Sequence, residues 1–137
     1  MNEITDISRW LYTTLGDLEG PQGVYNATLP PDATDPAILF QYQGGADAPA
    51  FGPGPRLAET TWVVRATGAT TDATALESLA TAIDDALEKA VAAATWTDLG
   101  VNIVGVVRES PFVLVEVVDG VEYRHLGGTY AIKAQGA

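Results

Sequence analysis

The sequence predicts an α+β fold: a mixed, mostly antiparallel sheet, one long amphipathic helix packed across it, and a short N-terminal helix. Three observations lead there. Residues 74–93 form the longest uninterrupted helix-periodic segment. Strand-like runs flank it, TTWVVRAT before and VNIVGVVR after. Further on, Asp119-Gly120 separates two more extended runs, FVLVEVV and VEYRHL, and Asp-Gly between such runs is a hairpin signal.

The long helix justifies itself residue by residue. Leu76, Leu79, Ala80, Ile83, Ala86, Leu87, Ala90 and Val91 recur at i, i+3, i+4 and i+7, which gathers them on one face. Glu77, Ser78, Asp84, Asp85, Glu88 and Lys89 fall largely on the other. Thr74 and Glu77 have capping-box spacing, so their side chains can serve backbone N–H groups that the first turn leaves free. A one-sided stripe needs an apolar surface to cover, and a sheet holding both flanking strands is the simplest one.

The remaining elements follow in chain order. In residues 3–15, Ile4, Ile7, Leu11 and Leu15 line one side beside Trp10; Asn2 is placed to cap this helix and Gly16 to end it as a C′ residue. GVYNATLPP reads as a short extended piece. Its Asn26-Ala27-Thr28 has the form of a glycosylation sequon, taken as chance. AILFQYQ, 37–43, reads as an apolar strand.

Residues 44–59, GGADAPAFGPGPRLAE, have no periodicity and read as a long hairpin loop. Phe51, Arg56 and Leu57 are its candidate contact residues, if the loop orders against a partner instead of remaining a loop with incidental apolar side chains. Trp62 and Val64 point one way, Val63 and Arg65 the other. Gly105 marks a bulge or a close backbone approach, and Pro111 and Gly127-Gly128 mark strand breaks. FVLVEVV is either a core strand or an edge that pairs with a neighbouring chain, with Phe112, Leu114 and Glu116 as candidate interface residues.

Bulk composition narrows the function. A chain of 137 residues, 47% hydrophobic and 18% charged, suits one globular domain spanning 1–137. There is no cysteine, hence no disulfide and no thiolate metal site. No apolar run reaches the ~18–20 residues of a membrane span. The start, MNEITDISRW, lacks the basic and apolar regions of a signal peptide, so an intracellular origin is expected. A net charge of −11, with the basic residues scattered singly, argues against tight binding of phosphate backbones.

No catalytic, cofactor-binding or metal constellation emerges. His125 is the one histidine, and a lone strand histidine reads as structural. No G-x-S-x-G elbow occurs, and Pro53 and Pro55 remove N–H groups that a phosphate cradle needs. Asp84 and Glu88, at i, i+4, read as a solvated helix face sooner than a metal clamp. Trp62 and Trp96 read as core or interface anchors, because no basic flank supports nucleic-acid stacking. The chain is expected not to be an enzyme and to need no cofactor.

The order of elements carries a resemblance. The V-Y…P…P-A-I-L-F-Q-Y run, the W-V-V-R-A-T strand leading into the Ala-rich helix, and the closing Y-R-H-L-G-G-T-Y resemble the tail terminator, or tail completion, proteins of long-tailed bacteriophages. The likeness spans about residues 4–135 and its motifs are of low specificity. It implies a structural virion protein at the tail–neck junction, made in the host cytoplasm. It implies a homohexameric ring that caps the major tail tube protein, stops its polymerisation and docks a head-completion or neck protein. DNA would pass through the lumen without specific binding, and no membrane would be involved. Asp84, Asp85 and Glu88 are candidates for an acidic lumen face. Six copies of so acidic a chain repel one another, so salt should favour the ring. A head–tail connector or stopper of the same neck is the alternative. A small-ligand-binding domain or enzyme using 44–59 as a lid is the alternative from another class.

Overall fold

Helix α1 (Glu3–Gly16) opens a chain of seven elements in a computed structural model that describes residues 3–48, 57–70, 74–92 and 101–136. Strand β1 (Val24–Asn26) and strands β2 (Ala37–Ala48) and β3 (Leu57–Ala69) follow. Helix α2 (Thr74–Ala92) precedes the two longest strands, β4 (Val101–Val118) and β5 (Val121–Gly136). The strands form one sheet in the order β1-β2-β3-β5-β4. Among the described strands only the β1–β2 pairing is parallel, so the sheet is mixed and mostly antiparallel, and the fold is α+β.

Both helices pack on one face of the sheet. Ile7, Trp10, Leu11 and Leu15 of α1 and Leu76, Leu79, Ile83, Leu87 and Ala90 of α2 are buried against Ile38, Phe40, Trp62, Val64, Ile132 and Ala134. Ala80, Ala86 and Val91 border that stripe and are half-buried. Strand alternation puts the even-numbered residues of β3 on this face. Trp62 is fully buried, and its indole N–H donates to Thr60 Oγ1 at 2.9 Å, whose hydroxyl in turn donates to the Ile132 carbonyl at 2.7 Å. Phe40 and Tyr42 flank the indole with ring centroids at 6.1 and 5.4 Å. Trp62 is thus a core anchor; Trp96 lies outside the described residues, as does Asn2.

Several expectations change. Gly16 is the last helical residue of α1, and the left-handed backbone comes later, at Gly20 (φ 111°). The predicted loop 44–59 is partly strand: β2 runs on to Ala48 and β3 begins at Leu57, paired with each other across a bulge at Tyr42/Gly44. Phe51 and Arg56 fall in 49–56, outside the described residues. Pro111 does not break β4, which runs through it opposite Gly128. The proline is tolerated because β4 is an edge strand, where one side of the backbone has no neighbour to receive an N–H.

Gly127-Gly128 does not break β5 either. A Cβ at Gly127 would lie 2.1 Å from the Val64 carbonyl oxygen, and one at Gly128 would lie 2.7 Å from Arg108 Nε. The pair is there for close approach, of a neighbouring strand at one residue and of the Arg108 side chain at the other. Gly105 does sit at a register shift, as expected, and a second shift occurs between Arg108 and Ser110. Asp119 (φ 51°) and Gly120 (φ 77°) form the hairpin turn, two consecutive positive φ values matching a type I′ turn.

Because Ile83 is fully buried between helix and sheet, Ile83→Ala should lower stability by about 2–5 kcal/mol, read as a reduced midpoint in urea denaturation.

Candidate functional site

Two regions stand out once the core is accounted for: the free edge along β4 and a polar cluster on the sheet face opposite the helices. The edge is built by topology. β5 lies between β3 and β4, so among the described residues β4 has a partner on one side only. Two register shifts divide it, and beyond them its side chains alternate cleanly. Phe112, Leu114 and Glu116 pair in register with Gly127, His125 and Tyr123 and face away from the helices. Val113, Val115 and Val117 face the other way, and Val113 and Val117 are 67% and 70% exposed. Val104, Val107 and Val118 are also exposed.

The sequence reading therefore named the strand that forms this edge, but residues on only one of its faces. Of its three residues there, Phe112 and Glu116 are already engaged within the chain. The Arg65 guanidinium lies over the Phe112 ring at 5.0 Å, and Glu116 Oε1 is 2.6 Å from His125 Nε2. The missed row was legible as strict alternation in FVLVEVV. Leu57 starts β3 opposite Gln135 at the far end of the sheet, and Leu114 is exposed at the near end, so the structure does not bring these two candidates together.

The three acidic candidates on α2 also separate. Asp85 and Glu88 are exposed, as expected of a solvated face. Asp84 is turned toward the sheet instead. It accepts a short hydrogen bond from the Tyr130 hydroxyl and faces Arg108 Nη1 at 3.5 Å. Arg108 Nη2 donates onward to the Gly127 carbonyl at 3.1 Å. Burial, reinforced by Asp84, pushes the Tyr130 phenol far above its ordinary value, so it stays a donor. This network ties α2 to β4 and β5 across a cleft of about 270 Å³, and Asp84 is not a free carboxylate for a lumen or a metal. Among the described residues no cluster of three or more His, Asp or Glu could hold a metal ion.

The second region centres on His125. Arg65 and Thr67 from β3, His125 from β5, and Phe112 and Glu116 from β4 share the helix-free face. His125 is 5% exposed and Thr67 1%. Burial lowers the imidazole pKa below 6.5 first, and the Arg65 charge lowers it further; Glu116 opposes both but does not win. The ring is accordingly neutral at pH 7. With Nε2–H donated to Glu116, Nδ1 is left as an acceptor. Among the described residues, neither His125 Nδ1 nor Thr67 Oγ1 has a hydrogen-bond partner.

A cavity of about 340 Å³ opens beside them, walled by the 27–36 segment that connects β1 to β2 and by the end of the β4–β5 hairpin. It lies at the opposite end of β2 and β3 from residues 44–48 and 57–59.

Two outcomes follow. Tyr130→Phe should cost about 1 kcal/mol in urea denaturation, a discounted value because Asp84 is part-exposed. For His125, the folded state binds the proton more weakly than the unfolded chain, so its contribution is complete above about pH 6.5 and is lost as pH falls through that value toward the folded one. Wild type should thus lose more stability between pH 7.5 and 5.5 than His125→Gln; equal losses would show that His125 is not the acid-sensitive group.

No helix among the described residues is long and apolar enough to cross a membrane. Neither a scan of the sequence against protein-family models nor a search of curated proteins finds a match.

Proposed function

We propose that the chain is a ring-forming structural subunit of the phage tail-terminator type. It would cap the tail tube, stop its growth and offer a docking surface to the neck. The observation that carries this reading is the 18-residue edge strand β4 with its exposed valines. Pro111 and the two register shifts blunt the middle of β4, but residues 112–118 beyond them present an apolar edge of the kind that templates pairing with another chain. A closed ring needs one heterologous contact repeated around an axis, and an edge strand docking on a different surface of the next copy supplies it. The net charge of −11 suits a lumen through which DNA slides without adhering, with the exposed Asp85 and Glu88 as contributors. In this proposal the partners are further copies of the chain, the tail tube protein and a neck protein, and no reaction is catalysed.

Negative-stain microscopy tests the proposal. Wild type should give rings with a central hole. Val113→Lys combined with Val117→Lys should abolish them while leaving the thermal unfolding of the subunit within about 0.5 kcal/mol, because both side chains are solvent-exposed. Wild-type particles without a hole would overturn the ring reading; rings that persist in the double variant would place the interface elsewhere. Binding to the ends of purified tail tubes, with arrest of their growth, separates a terminator from a connector or stopper.

A further inference from the structure

A ring needs a second, different surface on each copy to receive the edge of β4, and the sheet itself offers one. Among the described residues its outer strands are β4 and β1, so it ends in two unlike open edges. Their directions match. β1 runs parallel to β2, and the three pairings from β2 across to β4 are antiparallel, so β1 and β4 run in opposite senses. Rotation about an axis roughly along the strands keeps those senses. β4 of one copy then meets β1 of the next antiparallel, the more stable pairing.

Their levels match as well. Val24 lies beside Ile38, Ile38 beside Ala66, Ala66 beside Leu126 and Leu126 beside Val113. Continuing the sheet straight on puts Val113 opposite Val24 of the next copy. The backbone groups there are in phase. Val118 and Val121 close the two-residue type I′ turn, and such a pair exchanges its N–H and C=O groups. Alternation therefore points those of Val117, Val115 and Val113 outward. The Gly23 carbonyl accepts from the Ile38 N–H at 2.9 Å and the Ala27 N–H donates to the Phe40 carbonyl at 2.8 Å, so by the same alternation Val24 turns its backbone away from β2.

The side chains agree too. Val113 and Val115 are exposed on the helix side of the sheet, and Val24 packs against the core on that same side. There a groove of about 500 Å³ runs between the end of α1 and the 17–24 segment, with Tyr12, Leu18, Pro21 and Val24 in its wall. Tyr12 is 60% exposed. The valine row brings no carboxylate to this groove, because Glu116 lies on the other face against His125. That matters between copies that each carry −11.

We propose that residues 112–115 of one copy pair antiparallel with residues 22–25 of the next, Val113 opposite Val24, and that Val113 and Val115 cover the groove beside Tyr12. This rests on the ring reading and names the surface that receives the edge.

The chain has no cysteine, so Tyr25→Cys combined with Phe112→Cys supplies its only two thiols, one at each edge. Across the proposed pairing they form a non-hydrogen-bonded pair with Cα atoms about 4.5 Å apart, within disulfide range. Oxidation should give a ladder of covalent oligomers that a reducing agent collapses, and each single variant should stay free of cross-links. Tyr12→Glu, an exposed change beside the receiving edge, should weaken assembly about tenfold or more in sedimentation while leaving the unfolding transition unchanged. Hydrogen exchange of the wild type gives the same answer if the cysteine variants fail to fold: assembly should slow residues 22–25 and 112–115 together. Wild-type rings without a ladder, or with exchange slowed in 112–115 and not in 22–25, would overturn the edge pairing and leave the ring reading standing. Neither rings nor a ladder would overturn both. Covalent dimers from Phe112→Cys alone would show β4 paired with β4, and undiminished assembly of Tyr12→Glu would remove the groove; either result overturns the proposal.

Discussion

Covering the face of the sheet that carries Trp62 with two helices is the constraint from which the rest of this structure follows. The stripe of α2, led by Ile83 and Leu87, and the smaller stripe of α1 both seat on the face that carries Trp62, Val64 and Ile132. Burial of those side chains is the dominant stabilising term available to a domain of this size. Nothing in that arrangement serves the opposite face or the outer edge. The opposite face is handled with polar pairs, Arg65 over Phe112 and His125 against Glu116, and with the 27–36 connection. Among the described residues the outer edge is left open.

The two faces meet at β5. Its Gly127-Gly128 pair lacks side chains where Arg65 of β3 and Arg108 of β4 need space, one on each side of the sheet. Arg108 uses that space to reach the Gly127 carbonyl and Asp84, locking α2 to the outer strands. Charge placement in this chain is thus mostly internal wiring near the sheet centre, while the surplus of negative charge is distributed over the surface. In the proposed ring that surplus would keep copies apart at low ionic strength and oppose the apolar edge that draws them together.

A neutral buried histidine between a carboxylate and an arginine is a costly arrangement in isolation. It leaves Nδ1 and the Thr67 hydroxyl without partners among the described residues, next to a cavity lined in part by Asp35 and Glu116. Local polar networks that are not fully satisfied mark places where a domain departs from pure packing, and such departures concentrate where function resides. Here the departure lies on the face away from the helices, close to the open edge but distinct from it.

The sequence by itself determined the local elements. Helical periodicity located α1 and α2, alternation located β3, Asp119-Gly120 located the hairpin, and Gly105 located a bulge, because each is dictated by interactions within a few residues. Tertiary structure decided what long-range pairing controls. Inserting β5 between β3 and β4 made β4 an edge, carried Pro111 and both glycines into continuous strands, and exposed Val113, Val115 and Val117. Periodicity set Asp84 on the polar side of α2, but Tyr130 and Arg108, distant in sequence, drew it inward. The His125 cavity was invisible for the same reason: Asp35, Thr67, Glu116 and His125 are strangers along the chain and become neighbours only when four segments close around them.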